Sequence, residues 1–541
     1  MTSSPKAIVQ VVENFNKSKL AFVQTIADLA IKPAYIECLR KHGVIAMAKP
    51  LVGDPNTTVR TNAVLFLSRM IGHSESCAME VLSSSVTLGR VFDCVAKENK
   101  YYKKNCMDFI RNICKYNEDF TKIVLTSGGL DAILVCMDDF DVLVREFALQ
   151  AIASVARHGP DLSTQLVNAG LVPQILLCLK EQPTTLKIAS LAALDRIAKH
   201  NADLAQTIVT ASELPYIVCL LSSTHTNIKV QRGALALIRD IVRHCLSLSE
   251  NAIEADLFPT ILVLMGSPDE LVRNEAAKVV GEMVKQSVQI SQLVVNAGGI
   301  AALMNVIKLS KEHCCLPAVI AIGYIAISSP LLASVIIQSD VLLPLNGILE
   351  NDDDEFLKAG VIWALGLIGK HSCEHSRAVC TTGNVVCIMT ESTKSGAEIR
   401  LKTEVTMKLL LCKCDDLVTL NTLLTDSTPM EIVICVLEQF LKILPTNAKA
   451  RRSFILDGHL KRIQQYSPAP DTEMYKILQG INCCFPEDIV QRATGDFPES
   501  VMQTVDKYQP KSNCVFYSRH PKSNELNNSD NSSHEEEATF E

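Results

Sequence analysis

The chain has 541 residues and a mass of 59.3 kDa, and its residues are 48% hydrophobic but only 5% aromatic. This content is enough for a continuous core, and the shortage of aromatic side chains predicts that the core is aliphatic. The net charge of −7 and the pI near 6.0 provide no strong positive field, which argues against DNA or RNA as the principal partner.

The twenty cysteines stand singly or in adjacent pairs, and the sequence contains no C-x-x-C pair. This spacing favours reduced, buried thiols over a disulfide framework or a zinc site. The N-terminal segment lacks the apolar run of a secretory signal, and the apolar run Leu316–Ile327 is too short to span a bilayer. We therefore expect a protein of the cytoplasm or cytoskeleton, without a membrane partner.

One position, which we call the anchor, recurs along the first two thirds of the chain at intervals of 42 to 44 residues. Its occupants in chain order are Ile31, His73, Tyr116, His158, His200, His244, Gln286, Ser328 and His371. Twelve residues further on, five of the nine units carry a glycine: Gly43, Gly128, Gly170, Gly298 and Gly383. A period near 42 with helical punctuation is typical of armadillo and HEAT solenoids.

The unit around His158 predicts three helices. Apolar residues in Val144–Ala156 recur at helical spacing and give the long helix one apolar face. Pro160 suits the first turn of a second helix, and Gly170 should end that helix in the left-handed conformation. Pro173 is predicted to start a third helix. Three helices per unit favour armadillo repeats over the two-helix HEAT unit.

The predicted fold is therefore all-α, a right-handed armadillo-repeat solenoid in which three-helix repeats of about 42 residues form a superhelix. Residues 1–385 should form about nine regular repeats. Residues 386–509 keep helical patterning and a further glycine stop at Gly458, and should form degenerate repeats and a cap. Residues 510–541, rich in Ser, Asn and Glu, should be a disordered acidic tail.

The sequence contains no Gly-rich phosphate loop, H-E-x-x-H, G-x-S-x-G or EF-hand pattern. The acidic run Glu350–Glu355 is better explained as a turn between repeats than as a metal site. Cys373 and His375 lack recognisable catalytic partners. The anchor histidine is predicted to be structural, because Gln286 and Ser328 replace it where the repeat continues. We predict no enzymatic activity, no cofactor and no metal.

Six cations occupy the position directly before the anchor, and we call them the basic ladder: Lys115, Arg157, Lys199, Arg243, Lys285 and Lys370. In stacked repeats, equivalent positions line up. One interpretation is that these side chains complement the negative ends of helix dipoles. The other is that they form an electropositive surface for an acidic protein partner. The two interpretations are compatible.

Several segments resemble the sperm-associated antigen six family, the armadillo proteins of the central apparatus in motile cilia and flagella. They are "YYKK" at 101–104, "SGGLDAILVCMDDFD", "IAKHNADLAQTIV", "QLVVNAGGIAA", "IWALGLIGKHSCEHSRAV", "KARR" at 449–452, "PEDIVQ" and "VDKYQP". The likeness runs in order from the first repeat to about Pro510. Replacement of stop glycines by Ser212 and Asp256 and the extra tail are departures that would suit a diverged paralogue.

The resemblance implies a non-enzymatic scaffold of the axoneme that contacts tubulin or other central-apparatus proteins and supports flagellar motility. The sequence leaves open whether copies of the chain also associate with one another. A cytosolic armadillo adaptor or signalling scaffold is the alternative. A nuclear-import receptor fits less well: Trp363 is the single tryptophan, and Leu367 stands where the peptide-clamping asparagine of those receptors would be.

Overall fold

The structure is a computed structural model that describes residues 5–83, 85–210, 214–222, 227–382, 385, 388–389, 397–425, 428–470, 472–492 and 499–510. These residues form helices and turns, with no strand among them. The chain divides into two compact units, Met1–Thr260 and Ile261–Glu541. Of the predicted tail, only Pro510 lies within the described residues. The predicted boundaries at 385 and 509 stay predictions.

Helices of the first unit follow one another with short connections, and a long helix recurs at every third place from α4 onward. Their bounds are α1 Pro5–Leu29, α2 Pro33–Lys41, α3 Val44–Ala48, α4 Thr57–His73, α5 Glu75–Leu82, α6 Ser85–Asp93, α7 Lys100–Cys114, α8 Glu118–Val124, α9 Leu130–Met137, α10 Val142–Ala156, α11 Pro160–Asn168, α12 Leu171–Lys180, α13 Thr184–Ala198, α14 Ala202–Thr210, α15 Leu214–Ser222, α16 Ile228–Val242, α17 Leu246–Glu254 and, across the boundary, α18 Leu257–Leu264.

The second unit continues the same order of one long helix and two shorter ones, with less regular lengths towards its C-terminal end. Its bounds are α19 Glu270–Val284, α20 Val288–Asn296, α21 Gly299–Leu309, α22 Leu316–Ser328, α23 Pro330–Gln338, α24 Leu342–Asn351, α25 Glu355–Gly369, α26 Cys373–Thr381, α27 Ala397–Leu411, α28 Leu417–Leu423, α29 Met430–Ile443, α30 Ala448–Leu456, α31 His459–Ile463, α32 Glu473–Asn482, α33 Glu487–Arg492 and α34 Glu499–Lys507.

Local signals at the helix ends explain why the unit α10–α12 folds as it does. The side chain of Asp141 caps α10 by accepting hydrogen bonds from the next turn of backbone, and Pro160 occupies the first turn of α11. Gly170 has a φ of +78°, which confirms the predicted left-handed stop. The expectation for the third helix was wrong in detail: α12 begins at Leu171, so Pro173 lies within its first turn.

The left-handed turn also occurs where the sequence has no glycine. Asp256 and Asp340 stand twelve residues after an anchor and have φ values of +59° and +56°. Aspartate tolerates this conformation better than most side chains do, because its short polar group can bond locally. The geometry of the stop therefore survives the loss of the glycine. Gly383 and Ser212 lie outside the described residues.

The core of each unit lies between successive long helices. In the first unit α4, α7, α10, α13 and α16 pack in that order, and in the second α19, α22, α25 and α27 do so. Buried positions are mostly Leu, Ile, Val and Ala, as the composition predicted. The helices of a single repeat could not bury these apolar side chains without a neighbouring repeat. Stacking of the repeats therefore supplies most of the free energy that stabilises the fold.

The eighteen described cysteines are free thiols, and most of them are buried or half-buried. Four are exposed, however: Cys38, Cys219, Cys373 and Cys412. The expectation of buried thiols is therefore wrong at these four positions. Three of them lie on helices and Cys412 directly follows the end of α27, and a small thiol costs little to leave in water at such sites.

Within the part of the chain that the structure describes, one helical stretch, Glu118–Met137, is long and apolar enough to span a membrane by length and composition alone. In the structure this stretch comprises α8 and α9, separated by Gly128 with a φ of +98°. Val124 and Ile133 in this stretch are fully buried within the first unit. The apolar character of the stretch thus has a role in packing the repeat.

Candidate protein-interaction surface

Four of the five anchor histidines, His158, His200, His244 and His371, connect consecutive long helices. The Nε2–H group of His200 donates to the carbonyl of Ala156 over 2.5 Å, and that of His244 to the carbonyl of Ala198 over 2.7 Å. His371 makes the same bond to Ala326 over 2.7 Å, and His158 makes it to Cys114. In each case the acceptor lies two residues before the preceding anchor. A carbonyl left without a partner at a helix C-terminus is thereby satisfied.

At other anchor positions the contact differs: Tyr116 satisfies the same carbonyl with a hydroxyl, whereas Ser328 does not. The hydroxyl of Tyr116 donates to the carbonyl of Ile71 over 2.6 Å. Ser328 instead bonds within its own helix, to the carbonyl of Tyr324 over 2.7 Å. These bonds support the prediction that the anchor is structural. Burial lowers the pKa of His371, which favours the neutral ring in this position.

All six residues of the basic ladder cap the C-terminal ends of the long helices α7, α10, α13, α16, α19 and α25. This is where a positive charge complements the helix dipole. The ladder is interrupted at α22, where Ile327 takes the equivalent position.

Four ladder residues have local roles. Lys115 donates to the carbonyl of Gly72, and burial lowers its pKa. The guanidinium of Arg243 lies 3.7 Å from the carboxylate of Asp240. Lys285 pairs with its neighbour Glu282 over 3.1 Å. Lys370 is half-buried, and this burial lowers its pKa.

The remaining two, Arg157 and Lys199, are exposed. Among the residues that the structure describes, neither makes an ion pair or a side-chain hydrogen bond. The ladder therefore offers its free charge chiefly at α10 and α13.

A second row of cations, thirteen residues before the anchor, was missed by the sequence reasoning. Arg60 binds Glu98, Lys103 binds Asp139 over 2.7 Å, and the Nη2 group of Arg145 donates to Glu181 over 2.9 Å. Each pair joins the start of one long helix to the loop before the next. Reading the same 42-residue register at other helix positions would have found this row, since the acidic partners recur with it.

The long helices of the first unit also share a polar face. Residues 1, 4, 5, 8 and 12 places before the anchor fall on one side of a 3.6-residue helix. We call these positions on α4, α7, α10, α13 and α16 the polar face. Only Ser68 and Asp240 among them are buried. Its cations are Arg69, Lys104, Arg111, Lys115, Arg157, Arg196, Lys199, Arg232, Arg239 and Arg243.

Four carboxyl groups lie among these cations: Asp108, Glu146, Asp195 and Asp240. Arg111 holds Asp108 over 2.5 Å, and the Nε group of Arg239 donates to Asp240 over 2.9 Å. Burial, together with the charge of Asp240 on the neighbouring helix, raises the pKa of Asp195 to about 6. When protonated, Asp195 can donate a hydrogen bond to Asp240, which reduces the repulsion between the two carboxyls.

In the second unit, the equivalent face of α22 and α25 is apolar apart from the half-buried Lys370. Trp363 packs edge-on against Tyr324, with ring centroids 5.2 Å apart, and both side chains are buried. Gly323 lies directly beneath the Trp363 ring, so that any Cβ at this position would overlap it. The close approach of these helices leaves no charged surface here comparable with the polar face.

The other sequence candidates occupy structural positions. Asp354, in the acidic run 350–355, caps α25 by accepting from the backbone N–H of Phe356 over 2.9 Å. The centre of the run, residues 352–354, therefore connects α24 to α25 between repeats, as expected, and its two ends belong to those helices. Cys373 is exposed at the start of α26, whereas His375 is buried between the hydroxyls of Ser334 and Ser372, 2.9 and 2.7 Å away.

Stacked three-helix repeats with a period near 42 residues and a polar long-helix face define the class: the chain is an armadillo-repeat solenoid, a repeat scaffold of the kind that binds other proteins. No family model matches the chain. A stretch of 167 residues is 36% identical to human sperm-associated antigen 6, and a stretch of 164 residues is 35% identical to the mouse protein.

Each of these matches covers 30% of this chain, and the chain spans about a third of the length of these relatives, 33% and 32%. The resemblance to the sperm-associated antigen six family is thereby confirmed over part of the chain. Among solved structures, an engineered protein is similar over 84% of this chain and 99% of its own, with a TM-score of 0.63 and 17% identity. That likeness concerns the fold alone.

Proposed function

We propose that this protein is a non-enzymatic interaction scaffold of the axonemal central apparatus, that it belongs to the sperm-associated antigen six family as a diverged paralogue, and that it supports central-pair microtubules and ciliary or flagellar motility. The observation that carries the proposal is the partial identity to sperm-associated antigen 6, on a chain whose repeats form a solenoid. Its partners are tubulin or other proteins of the central apparatus.

Two features of the repeats support a binding role over a catalytic one. Polar side chains at recurring positions are taken up in caps and in bonds between repeats, as with Asp141 and His200. The basic ladder recurs at one structural position, which suits an extended contact with an acidic protein surface. Contact area across several repeats, rather than a single pocket, performs this function.

Localisation tests the proposal. A tagged full-length protein should concentrate along the axonemes of sperm or ciliated cells, and the signal should disappear in cells that lack the central pair. Uniform cytosolic or nuclear signal would contradict the proposal.

Sedimentation separates the scaffold from a cytosolic adaptor. An axonemal protein pellets with demembranated axonemes, whereas an adaptor stays in the supernatant. Loss of the protein should also reduce beat amplitude or disrupt the central pair in electron micrographs. Normal motility and intact central pairs in its absence would overturn the motility role.

A further inference from the structure

The polar face of the first unit carries far more positive charge than its surroundings. Its ten cations and four carboxyl groups give it a formal excess of positive charge in a chain whose net charge is −7. Such a local reversal of sign is expensive to keep without a function, because like charges on adjacent repeats repel one another.

The uncompensated part of this charge lies across α10, α13 and α16. Arg157, Arg196, Lys199 and Arg232 make no ion pair or side-chain hydrogen bond with any residue that the structure describes. By contrast, Arg111 and Arg239 on the same face are held by aspartates. Three of the four uncompensated side chains are exposed, and Arg232 is partly so.

Small side chains leave room between these cations. Ala153, Ala192 and Ala236 occupy the polar face on α10, α13 and α16. A peptide backbone could therefore approach the helices while its side chains reach the guanidinium and ammonium groups. Adjacent helices pack about 8–10 Å apart, and an extended chain advances about 3.3 Å per residue. A peptide with an acidic residue at about every third position would then place one acidic side chain opposite each successive helix.

We propose that α10, α13 and α16 form a docking site for an extended, Glu- and Asp-rich segment of a protein partner, with Arg157, Arg196, Lys199 and Arg232 as its charge-recognising residues. The inference rests on the proposed binding function and deepens it. It adds Arg196 and Arg232 to the basic ladder and confines the site to the first unit.

The chemistry of the face favours a peptide over a nucleic acid. Glu146, Asp195 and Asp240 lie among the cations and would repel an unbroken row of phosphates. A peptide can place neutral residues opposite these carboxyls. Nucleic-acid grooves also use aromatic side chains for base stacking, and the polar face holds none on any of its five helices.

The test measures binding of a fluorescent synthetic peptide with glutamate at every third residue to the full-length protein by fluorescence anisotropy. Wild-type protein should bind this peptide, should bind its glutamine counterpart at least about tenfold more weakly, and should lose affinity as salt rises. Arg196→Glu combined with Arg232→Glu should lower the affinity for the glutamate peptide by about tenfold or more.

A matched control reverses Lys41 and Lys122 to glutamate, since both are exposed in the first unit away from the polar face. This variant should retain wild-type affinity. The milder double variant Arg196→Gln and Arg232→Gln, with thermal melting followed by circular dichroism, distinguishes the loss of a contact from the loss of the fold.

Unchanged affinity in both polar-face variants would overturn the proposal, as would tighter binding of a single-stranded oligonucleotide at the same residues. Peptide binding without axonemal localisation would uphold this site while refuting the proposed cellular role.

Discussion

At the scale of single residues, the anchor shows how one structural need is met by several side chains. Histidine, tyrosine and serine each occupy the anchor, and the first two donate to the end of the preceding long helix. Imidazole reaches this carbonyl from a partly buried position without carrying a permanent charge. This explains why the residue recurs and why it can be replaced without loss of the repeat.

Replacing His200 with alanine should lower the free energy of unfolding by about 0.5–1 kcal/mol, because the carbonyl of Ala156 loses one of its two donors and keeps only the hydroxyl of Ser163 at 3.2 Å. His200→Gln should cost less, since an amide N–H can donate and Gln286 occupies this position naturally. Urea denaturation followed by circular dichroism measures both. Equal stability of His200→Ala and wild type would contradict the structural role.

Asp195 gives the stability of the first unit a predictable dependence on pH. Its pKa is raised to about 6 in the folded chain, above the ordinary value of 3.8. Between these two values the folded state holds a proton that the unfolded chain has released. Raising the pH through this window therefore lowers the free energy of unfolding, and the loss is complete above about pH 6.

Asp195→Asn removes this titration and should stabilise the protein at pH 7.5 by on the order of 2 kcal/mol, with a smaller gain at pH 5. Urea denaturation at the two pH values measures the difference. Asp28→Asn, at an exposed position on α1, is the control and should show little change at either pH. A gain that is the same at both pH values would rule out the carboxyl pair as its cause.

At the scale of helices, the long helix of the repeat makes different contacts in the two units. In the first unit the polar face carries charge, whereas in the second the equivalent side of α25 is buried from Leu357 to Gly369. Glycines at Gly323 and Gly366 permit this close packing, because a Cβ at either site would crowd Trp363 or Thr406. The residue five places before the anchor, which is glycine in α22 and α25, thus decides whether the neighbouring long helix can approach closely enough to bury this face.

Gly323→Ala should lower the free energy of unfolding by about 1–3 kcal/mol, because the new methyl group overlaps the Trp363 ring and forces it to move. The control is Gly347→Ala on α24, where no atom lies within 4 Å of the added Cβ. That substitution should be neutral or slightly stabilising, as expected of alanine in a helix. Thermal melting of both variants, followed by circular dichroism, makes the comparison. Equal effects would contradict the close packing.

At the scale of the whole molecule, function is proposed to reside in a contact spread over several repeats. Each ladder residue contributes little alone, since exposed charges are screened by water and salt. Several aligned charges act together on an acidic partner, and their sum appears in the salt dependence of binding.

Reversing Arg157, Lys199 and Arg243 to glutamate should therefore release the protein from axonemes at a lower salt concentration than wild type. Stepwise salt extraction followed by immunoblotting measures this. The Lys41 and Lys122 reversal serves again as the control and should extract like wild type. If the triple variant also extracts like wild type, the basic ladder has no part in holding the partner.

By itself, the sequence determined the repeat and the class of fold. The 42-residue period, the apolar spacing of Val144–Ala156 and the stop at Gly170 are local signals, and helices respond to local signals. The same register identified the anchor and the basic ladder. It also placed Asp256 at a stop position, but it could not show that Asp256 and Asp340 adopt the left-handed turn, because aspartate does so only where its neighbours require it.

Only the tertiary structure decided which side chains have partners. Arg145 and Arg157 look alike in sequence, yet the first is held by Glu181 and the second faces water. The pairing of Asp195 with Asp240 and the closing of the α22–α25 face by Gly323 also depend on neighbouring repeats. Such contacts join residues about 40 positions apart, and their distances follow from how closely two helices pack, which periodicity alone does not specify.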